Sequence, residues 1–579
     1  MNSGRRSWKA IVPGAAEGAR SVKKVLKSGY QNMFAESKKE QFVESTYVFY
    51  QLKGLWHDII THKGKNYDTF EIIDTGHMSE EGAPRVPQEG IYVAIPENAE
   101  VVEVKIVNKT EKELEGKIDL LPAPKPVFEG EEIEYIPNKK IYESNDPFPG
   151  KYIDFVGIKH ISHRKVAHIM IYLFQYKPKS MKVIALESIE LEIVYKKKPG
   201  STATPVQHLA HNIPLDGLIL DSESISLKDK SDTGEEADAK LKNPDNAANY
   251  VIITTEDMKD SFDNFVTLKS VSYQIKLIML TEILAEFPYP DSQKDKAILD
   301  FLKYATGNWR IPPQWVVLGG NMDKIPTHIE FNDGVTFVCD HYYADLNGDL
   351  CPDISVSRFP ASTPSDMKKI CDAAAAYHQD SGSWRKNVLF LAQNINTYIQ
   401  CKDSIETNGQ LNVLKRYDGE ATKQQVIDTI NNGAGIINYR GHGEATRWLA
   451  ANGLTNDDIP ELSTGNRPPQ VFSICCWTCQ LDYNDCFGVT WINDTKAITF
   501  LGASRASYTI PNNQLDKYLW DGIINHGLTM AGSIFDWGII NLHRNNPSME
   551  ATHNIYLYLL LGDPTASYKE TLPSPQLTS

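Results

Sequence analysis

Short apolar segments alternate with amphipathic helix patterns from residue 249 to residue 567 of this 579-residue chain. A helix pattern of this kind covers 363–379 and opens at Pro364. Each apolar segment has the length of one buried strand, and together they comprise 250–254, 315–320, 387–392, 435–439, 470–475 and 497–501. This alternation favours an α/β fold with a mostly parallel sheet flanked by helices. Ligands of such sheets bind beyond the carboxyl ends of the strands.

The region before residue 199 has a different pattern. Residues 101–107 and 189–195 alternate apolar and polar side chains with a period of two, which is typical of half-buried strands. Clusters of Pro, Asn and Gly interrupt the region at 122–126 and 145–150. We therefore predict a β-sandwich-like domain over 45–198.

The two ends of the chain and the join between the two regions have few core-forming residues. Residues 1–35 carry seven Lys or Arg and one acid, without the apolar stretch of a secretory signal. This predicts a flexible basic leader over 1–44, with an organelle transit peptide as the alternative. Polar and charged residues dominate 199–248, which predicts an acidic, exposed linker where proteases cut. Residues 568–579 are predicted to be a tail.

Composition excludes several classes of protein. Because 41% of the residues are apolar and 10% are aromatic, the chain can bury a sizeable core, which excludes disorder throughout. The net charge of −15 disfavours a nucleic-acid partner, since acidic surfaces repel phosphates. The longest apolar run, 555–561, is too short to span a membrane and fits a buried strand or a short core helix.

All eight cysteines lie beyond residue 338, at positions 339, 351, 371, 401, 475, 476, 479 and 486. A secreted scaffold stapled by disulfides would not leave more than half of its length without cysteine. The cysteines therefore belong to the α/β region, and four of them lie close together in the sequence.

Two predicted strands end in residues that suit nucleophilic chemistry, namely Tyr-Arg-Gly-His-Gly at 439–443 and Ser-Ile-Cys-Cys at 473–476. An imidazole beside a thiol can take its proton and then serve the leaving amine as an acid. The backbone N–H groups of Gly443 and Cys476 are placed to hold an oxyanion. Each residue alone has a plainer interpretation, because a strand cysteine usually packs in a core and a histidine between glycines usually shapes a turn.

Six segments together carry a family resemblance. They are 316–326, 340–361, 435–448 around the histidine, 469–476 around the cysteines, and the closing blocks 501–504 and 561–565. In this order they resemble the gingipain-type cysteine peptidases of the caspase-like clan. The resemblance covers about 249–567. It implies a caspase-like fold, with the β-rich region in the position of the family's propeptide.

The resemblance also implies roles for single residues. His442 matches the catalytic histidine and Cys476 the nucleophile, while Cys475 stands where the family has a small residue, so the doublet leaves two candidate thiols. Trp448 either lines a substrate pocket or packs under the histidine loop.

The family orients its histidine with an acid that follows an earlier strand. The corresponding segment here, 391–396, contains no acid. Asn394 is therefore the candidate for holding the imidazole, because amides do so in some thiol peptidases. Asp403 and a backbone carbonyl are the alternatives.

Two segments bear on metal binding. Cys476 and Cys479 have C-x2-C spacing, but a zinc site usually needs two such pairs, so catalysis is the better interpretation. The oxygen-rich segment 345–353 resembles a calcium loop without the full EF-hand spacing, and an Asn-Gly turn is the alternative. Because gingipain-like proteins bind calcium, the resemblance implies a structural Ca²⁺ and no cofactor for the chemistry. The candidate ligands are Asp345, Asn347, Asp349 and Asp353.

Two functions from different classes follow. The first is a cysteine-type endopeptidase that hydrolyses protein or peptide substrates through an acyl-enzyme and is made as a zymogen with its own N-terminal domain as partner. If it were specific for basic residues, its linker would offer Lys228, Lys230, Lys240 and Lys242. The second is a non-catalytic surface-binding or scaffold protein that retains the fold. The resemblance implies an extracellular or cell-surface location, although no signal peptide is visible.

Overall fold

In the computed structural model, the described residues are 7–32, 42–162, 164–197, 206–207, 213–220, 227–228, 240–332, 334–405, 407, 409–450, 453–483 and 485–569. An N-terminal domain, described up to residue 220, is built mainly of strands. Its elements are β1 (Ser7–Ala10), β2 (Val22–Asn32), β3 (Phe42–Gln51), β4 (Gly54–His62), β5 (Lys65–Glu71), β6 (Gly76–His77), β7 (Pro87–Ala94), β8 (Ala99–Glu113), α1 (Lys139–Tyr142), β9 (Ile153–Ile161), β10 (Arg164–Tyr172), β11 (Phe174–Lys177), β12 (Lys182–Lys197), β13 (Val206–Gln207) and β14 (Ile219–Leu220), followed by β15 (Leu227–Lys228).

Two five-stranded sheets form the body of this domain. One has the order β14-β7-β10-β9 with β6 beside β7, and the other has the order β11-β12-β3-β2 with β8 beside β12. Side chains of both sheets share one core, in which Val48, Ile91, Ile169 and Leu191 are buried. A third, smaller sheet has the order β1-β4-β5. Two sheets that enclose a common core confirm the predicted β-sandwich-like domain.

The C-terminal domain begins at residue 240 and alternates strands with helices. Its elements are β16 (Tyr250–Thr254), α2 (Asp263–Lys269), β17 (Ile275–Met279), α3 (Leu280–Glu286), α4 (Lys294–Asn308), β18 (Trp315–Gly319), β19 (His328–Asn332), β20 (Val335–Cys339), α5 (His341–Ala344), β21 (Ser355–Phe359), α6 (Pro364–Gln379), β22 (Asn387–Ala392), α7 (Asn396–Asp403), β23 (Asn412–Lys415), α8 (Lys423–Asn431), β24 (Ile436–Arg440), β25 (Gly443–Glu444), β26 (Arg447–Trp448), β27 (Gln470–Ile474), α9 (Phe487–Asn493), β28 (Thr499–Ala503), α10 (Thr509–Asn525), α11 (Ala531–Asn545), α12 (Met549–Leu557) and β29 (Tyr558–Gly562).

Ten of these strands form one sheet with the order β17-β16-β18-β21-β29-β28-β27-β24-β22-β23. Every neighbouring pair is parallel except β28 and β29, which are antiparallel. The sheet therefore consists of two parallel halves of opposite direction joined at one seam. The carboxyl ends of β22, β24, β27 and β28 lie at the same edge, which is where a ligand of this half would bind.

The two domains meet through the backbone of β7 and the end of α11. The N–H of Gly90 donates to Asn545 Oδ1 at 3.1 Å, and the Gln88 amide donates to the Asn545 carbonyl at 3.0 Å. On the neighbouring strand β10, His168 Nε2 hydrogen-bonds the Arg544 carbonyl at 2.9 Å. These bonds join strands of one domain to a buried helix of the other, so the domains share a packed interface.

The ends of the chain and the join between the domains differ in part from the predictions. The prediction of a flexible leader was wrong for 7–32, because β1 pairs with β4 and β2 pairs with β3. The run 555–561 is divided between α12 and β29, so both interpretations hold for part of it. Most of the predicted linker 199–248 and of the tail 568–579 lies outside the described residues. Within the described part of the chain, no helix combines the length and apolar content that a membrane crossing requires.

Candidate active site

Three neighbouring strands, β24, β27 and β28, bring the candidate residues together. His442 follows β24 and Cys476 follows β27, and residues 504–508 leave β28 beside them. Gly443 makes this approach close, because a Cβ at that position would lie 2.5 Å from the Cys476 carbonyl oxygen and 2.6 Å from Cys475 Sγ. The histidine loop therefore lies directly against the backbone of the cysteine doublet.

The two cysteines of the doublet face different surroundings. Cys475 Sγ is fully buried among hydroxyls, 3.2 Å from Ser473 Oγ and 3.8 Å from Thr478 Oγ1. Cys476 Sγ faces the loop after β28, where it accepts a hydrogen bond from the Ser507 N–H at 3.2 Å. Of the two thiols, Cys476 is therefore the one that borders the loop after β28.

The backbone around Cys476 suits the binding of an oxyanion. Within the described parts of the chain, the N–H of Cys476 donates no hydrogen bond to the protein. The next residue, Trp477, has a φ of +65°, a conformation that costs a non-glycine residue energy and turns the chain sharply after the thiol. A free, fixed N–H beside a nucleophile is the donor that an oxyanion requires.

Burial sets the protonation of both catalytic candidates. It raises the pKa of Cys476 to about 11, although the hydrogen bond from Ser507 opposes this shift. Burial also lowers the pKa of His442, while the nearby Glu129 carboxylate acts in the opposite direction. At neutral pH the thiol is therefore protonated and the imidazole is neutral, so the pair is poised for proton transfer without being charged.

The prediction for Asn394 is not supported by the geometry. Its side chain is exposed just beyond β22, and among the described residues none hydrogen-bonds the His442 ring. The preceding residue holds the histidine loop instead, because Gln393 Oε1 accepts the backbone N–H of His442 at 3.0 Å. Asp403 is bound elsewhere, to Lys415 and to the Tyr417 hydroxyl. The ring of His442 is instead bordered by Tyr398, with 5.8 Å between ring centroids.

Trp448 packs beneath the histidine loop and does not line a pocket. It is fully buried, it stacks on Tyr439 with 4.6 Å between ring centroids, and its indole N–H donates to Ser473 Oγ at 2.8 Å. Of the two interpretations of this residue, packing is therefore the correct one, and the prediction of a pocket residue was wrong.

The geometry of the oxygen-rich loop does not favour the calcium prediction. Asp345 Oδ1 accepts the N–H groups of Gly348 and Asp349, at 2.8 and 3.0 Å. Asp353 Oδ2 accepts the Asn347 amide at 2.7 Å, and Asp349 Oδ2 accepts the N–H of His160 in the N-terminal domain at 2.6 Å. These oxygens are engaged by N–H donors, and the described residues contain no cluster of three or more His, Cys, Asp or Glu that could hold a metal ion.

A segment of the N-terminal domain, residues 127–131, lies across the site. The Glu129 N–H donates to the Ser507 carbonyl at 3.0 Å, and the Thr509 N–H donates to the Val127 carbonyl at 3.1 Å. Between these bonds, the rings of Phe128 and Tyr508 stack with centroids 4.4 Å apart. The segment is thus added to the loop after β28 as a short antiparallel strand.

The segment turns away directly above the histidine. Gly130 has a φ of +98°, and the Glu131 N–H returns to the Phe128 carbonyl at 3.1 Å, which makes a tight turn. A Cβ on Gly130 would lie 2.6 Å from His442 Cε1. The turn therefore occupies the space over the imidazole that a substrate would need.

Sequence reasoning missed two residues that face each other in this site. Arg440 Nη2 donates to Glu129 Oε1 at 2.7 Å, and both side chains are fully buried. The one signal in the sequence was an arginine at the end of a buried strand, which requires a partner because a buried charge is costly. Nothing in the sequence indicates that this partner lies more than 300 residues earlier.

Comparison with known proteins identifies the family. A model of peptidase family C25 matches residues 243–569, more than half of the chain, and a model of the C25 propeptide matches residues 36–214. The chain belongs to peptidase family C25. The predicted regions 45–198 and 249–567 fall within these two matches, and so the predicted family is confirmed.

Individual C25 relatives are distant. Lys-gingipain HG66 of Porphyromonas gingivalis is 27% identical over 214 residues, which are 34% of this chain and 12% of that protein. Gingipain R2 of Porphyromonas gingivalis (strain ATCC BAA-308 / W83) is 24% identical over 255 residues, 41% of this chain and 33% of that protein. The matches thus span a third or less of these relatives.

A solved structure supports the predicted fold class. The crystal structure of the Arg-specific cysteine proteinase gingipain R (RGPB) aligns with a TM-score of 0.50 at 18% identity, covering 57% of this chain and 80% of that one. At this identity the likeness concerns the fold alone. The α/β fold predicted for the C25 domain is confirmed.

Proposed function

We propose that this chain is the zymogen of a cysteine-type endopeptidase with Cys476 as nucleophile and His442 as acid and base. The observation that carries the proposal is the meeting of these residues at neighbouring strand ends, with Gly443 in contact with the Cys476 carbonyl. Membership of the C25 family supports the same class of reaction. The substrates are proteins or peptides.

The reaction begins with transfer of the Cys476 thiol proton to the neutral His442. The thiolate then attacks the carbonyl carbon of the scissile peptide, and the oxyanion accepts the N–H of Cys476 and that of Gly443. The imidazolium returns its proton to the leaving amine as the C–N bond breaks. Water, deprotonated by His442, then cleaves the thioester and regenerates the thiol.

The N-terminal domain holds this machinery inactive. Segment 127–131 fills the space above His442 and pairs with the loop beside Cys476. Burial raises the pKa of the Cys476 thiol, and the Glu129 carboxylate of this segment raises it further. Removal of the segment would expose the site and lower the pKa of Cys476 toward that of a reactive thiol.

The assignment of the nucleophile can be tested with the full chain carrying Glu129→Lys. That substitution places a cation against Arg440 and should expel segment 127–131, whereas Glu132→Lys, a change at a nearby exposed glutamate, should not. We expect a peptidyl electrophile to label the Glu129→Lys chain at Cys476 and peptide cleavage to rise at least about 10-fold over the parent.

The cysteine doublet supplies the matched control. In the Glu129→Lys background, Cys476→Ala should abolish labelling and cleavage, while Cys475→Ala should keep both within a few-fold. If Cys476→Ala is labelled and cleaves as well as its parent, the proposed nucleophile is wrong. Absence of cleavage by every chain, together with absence of labelling, would favour the non-catalytic alternative.

A further inference from the structure

The position of Glu129 in the site is that of a substrate residue. Peptides commonly bind proteins by adding a strand to an exposed backbone edge, as residues 127–129 do against 507–509. The Glu129 N–H is bound by Ser507, whose own N–H is bonded to Cys476 Sγ, and the following residue lies on His442. Glu129 therefore takes the place of the residue on the amino side of the scissile bond, and its side chain enters the pocket that reads this residue.

The pocket around the Glu129 carboxylate is built for a negative charge. Oε1 accepts Arg440 Nη2 at 2.7 Å and the Asn512 amide at 2.9 Å, and the ring of Tyr398 lies 4.3 Å from the guanidinium carbon. All three pocket residues belong to the C25 domain. The pocket thus keeps its donors when the N-terminal domain leaves.

Arg440 cannot turn away from this pocket, because its other donors are fixed. Its Nε donates to Asn513 Oδ1 at 2.8 Å, Nη1 to the Ile474 carbonyl at 3.3 Å and Nη2 also to the Thr509 carbonyl at 3.2 Å. In the described residues, Glu129 is the one carboxylate with which Arg440 forms an ion pair. Without Glu129, a guanidinium that is always charged is left in the pocket without a counter-ion.

We infer that this peptidase cleaves peptide chains after an acidic residue, glutamate above all, and that Glu129 imitates such a substrate. The inference rests on the proposed function. An incoming carboxylate replaces the lost partner of Arg440, whereas a lysine or arginine would bring a second cation to a buried one. A site built around such a partner rejects side chains that lack it, including the isosteric glutamine.

The test uses five peptides that differ only in the residue before the reporter group, in the form Val-Phe-X-reporter with X as Glu, Asp, Gln, Lys or Arg. The enzyme is the full chain carrying Glu129→Lys. We expect kcat/KM for Glu to exceed that for Gln by at least about 100-fold, and that for Lys or Arg by more. Adding Arg440→Gln should reduce the Glu-to-Gln ratio to near one, while the conservative Arg440→Lys should retain part of it.

The outcomes separate the pocket from the chemistry. Preferred cleavage after Lys or Arg, or equal cleavage of all five peptides, overturns the acidic pocket and leaves the peptidase standing. Cleavage of none of them overturns the inference as well, and labelling of Cys476 by iodoacetamide, which has no such residue, then decides whether the proposed function falls with it. Because the comparison among peptides needs only the Glu129→Lys chain, it holds even if Arg440→Gln fails to fold.

Discussion

Gln393 and Asn394 are adjacent in sequence, but only Gln393 hydrogen-bonds the loop that carries His442. Gln393 Oε1 accepts the backbone N–H of His442, so it fixes the loop that carries the imidazole, while Asn394 is exposed. We expect Gln393→Ala to lower kcat by about 10-fold or more, since small displacements of a catalytic group are costly. Asn394→Ala should stay within about two-fold of the parent. Kinetics of both variants in the Glu129→Lys background would check this.

The reverse order, with Asn394→Ala as the damaging change, would restore the amide as the orienting group. KM should change little in either variant, because neither side chain enters the pocket around Glu129. Rescue of the Gln393 position by Glu, whose Oε1 can accept the same N–H, would indicate that the backbone bond is what matters.

At the scale of single residues, the sequence indicated the candidate thiol and imidazole but not the buried ion pair beside them. His442 and Cys476 stand in local motifs, so a few neighbouring letters indicate them. The Arg440–Glu129 ion pair joins two domains. The packing role of Trp448 becomes visible only from its contacts, such as its stacking on Tyr439. Such information depends on tertiary contacts that no local pattern contains.

Two glycines of the N-terminal domain allow a test of the segment that covers the site. Gly130 and Gly116 both have positive φ, +98° and +93°, so alanine strains the backbone equally at each. Only at Gly130 would the new Cβ meet His442, whereas nothing lies within 4 Å at Gly116. We therefore expect Gly130→Ala to raise the activity of the full chain several-fold.

Both substitutions should lower the free energy of unfolding by about 1 kcal/mol, because each strains the backbone. Gly116→Ala should do so without raising activity. Activity assays and denaturant unfolding of the two variants make the comparison. Equal activation by both would mean that general loosening of the domain, and not contact with His442, relieves the latency.

At the scale of elements, the buried strands of the C25 domain were the easiest to predict. Parallel strands are covered on both faces, so they appear as continuous apolar runs, and the predicted 387–392 and 470–475 correspond to β22 and β27 within one residue. The strands β1 and β2 were missed because their residues 7–32 are basic and polar. They form strands because β1 pairs with β4 and β2 pairs with β3, and not because of the strand propensity of their own residues.

At the scale of the whole molecule, buried histidines at the domain interface predict sensitivity to acid. His168 on β10 lies 5.6 Å from His543 on α11, measured between ring centroids, and both His543 ring nitrogens are buried without a partner in the described structure. Lys159 and His341 face the same cluster. Burial lowers the pKa of His168 to about 4 and that of His543 well below its ordinary value.

These imidazoles stay neutral in the folded chain but become protonated in the unfolded chain below pH about 6.5. The stability that they contribute at neutral pH is therefore lost as the pH falls from about 6.5 to about 4, with His168 alone accounting for a loss on the order of 3 kcal/mol. Denaturant unfolding across this range should reveal the decline. His543→Phe should flatten it, whereas His62→Phe, at a partly exposed histidine on β4 of the N-terminal domain, should not. An unchanged pH profile in His543→Phe would contradict the prediction.

The seam of the ten-stranded sheet bears on the order in which the molecule is assembled. β29 lies between β21 and β28, although it follows every other strand of the sheet along the chain. Until 558–562 has been synthesised, the two halves of the sheet cannot join. The N-terminal domain emerges from the ribosome hundreds of residues earlier, and domains generally fold in that order. The candidate site on β24, β27 and β28 is therefore assembled only after segment 127–131 has been synthesised, so this segment is available to cover the site as it forms.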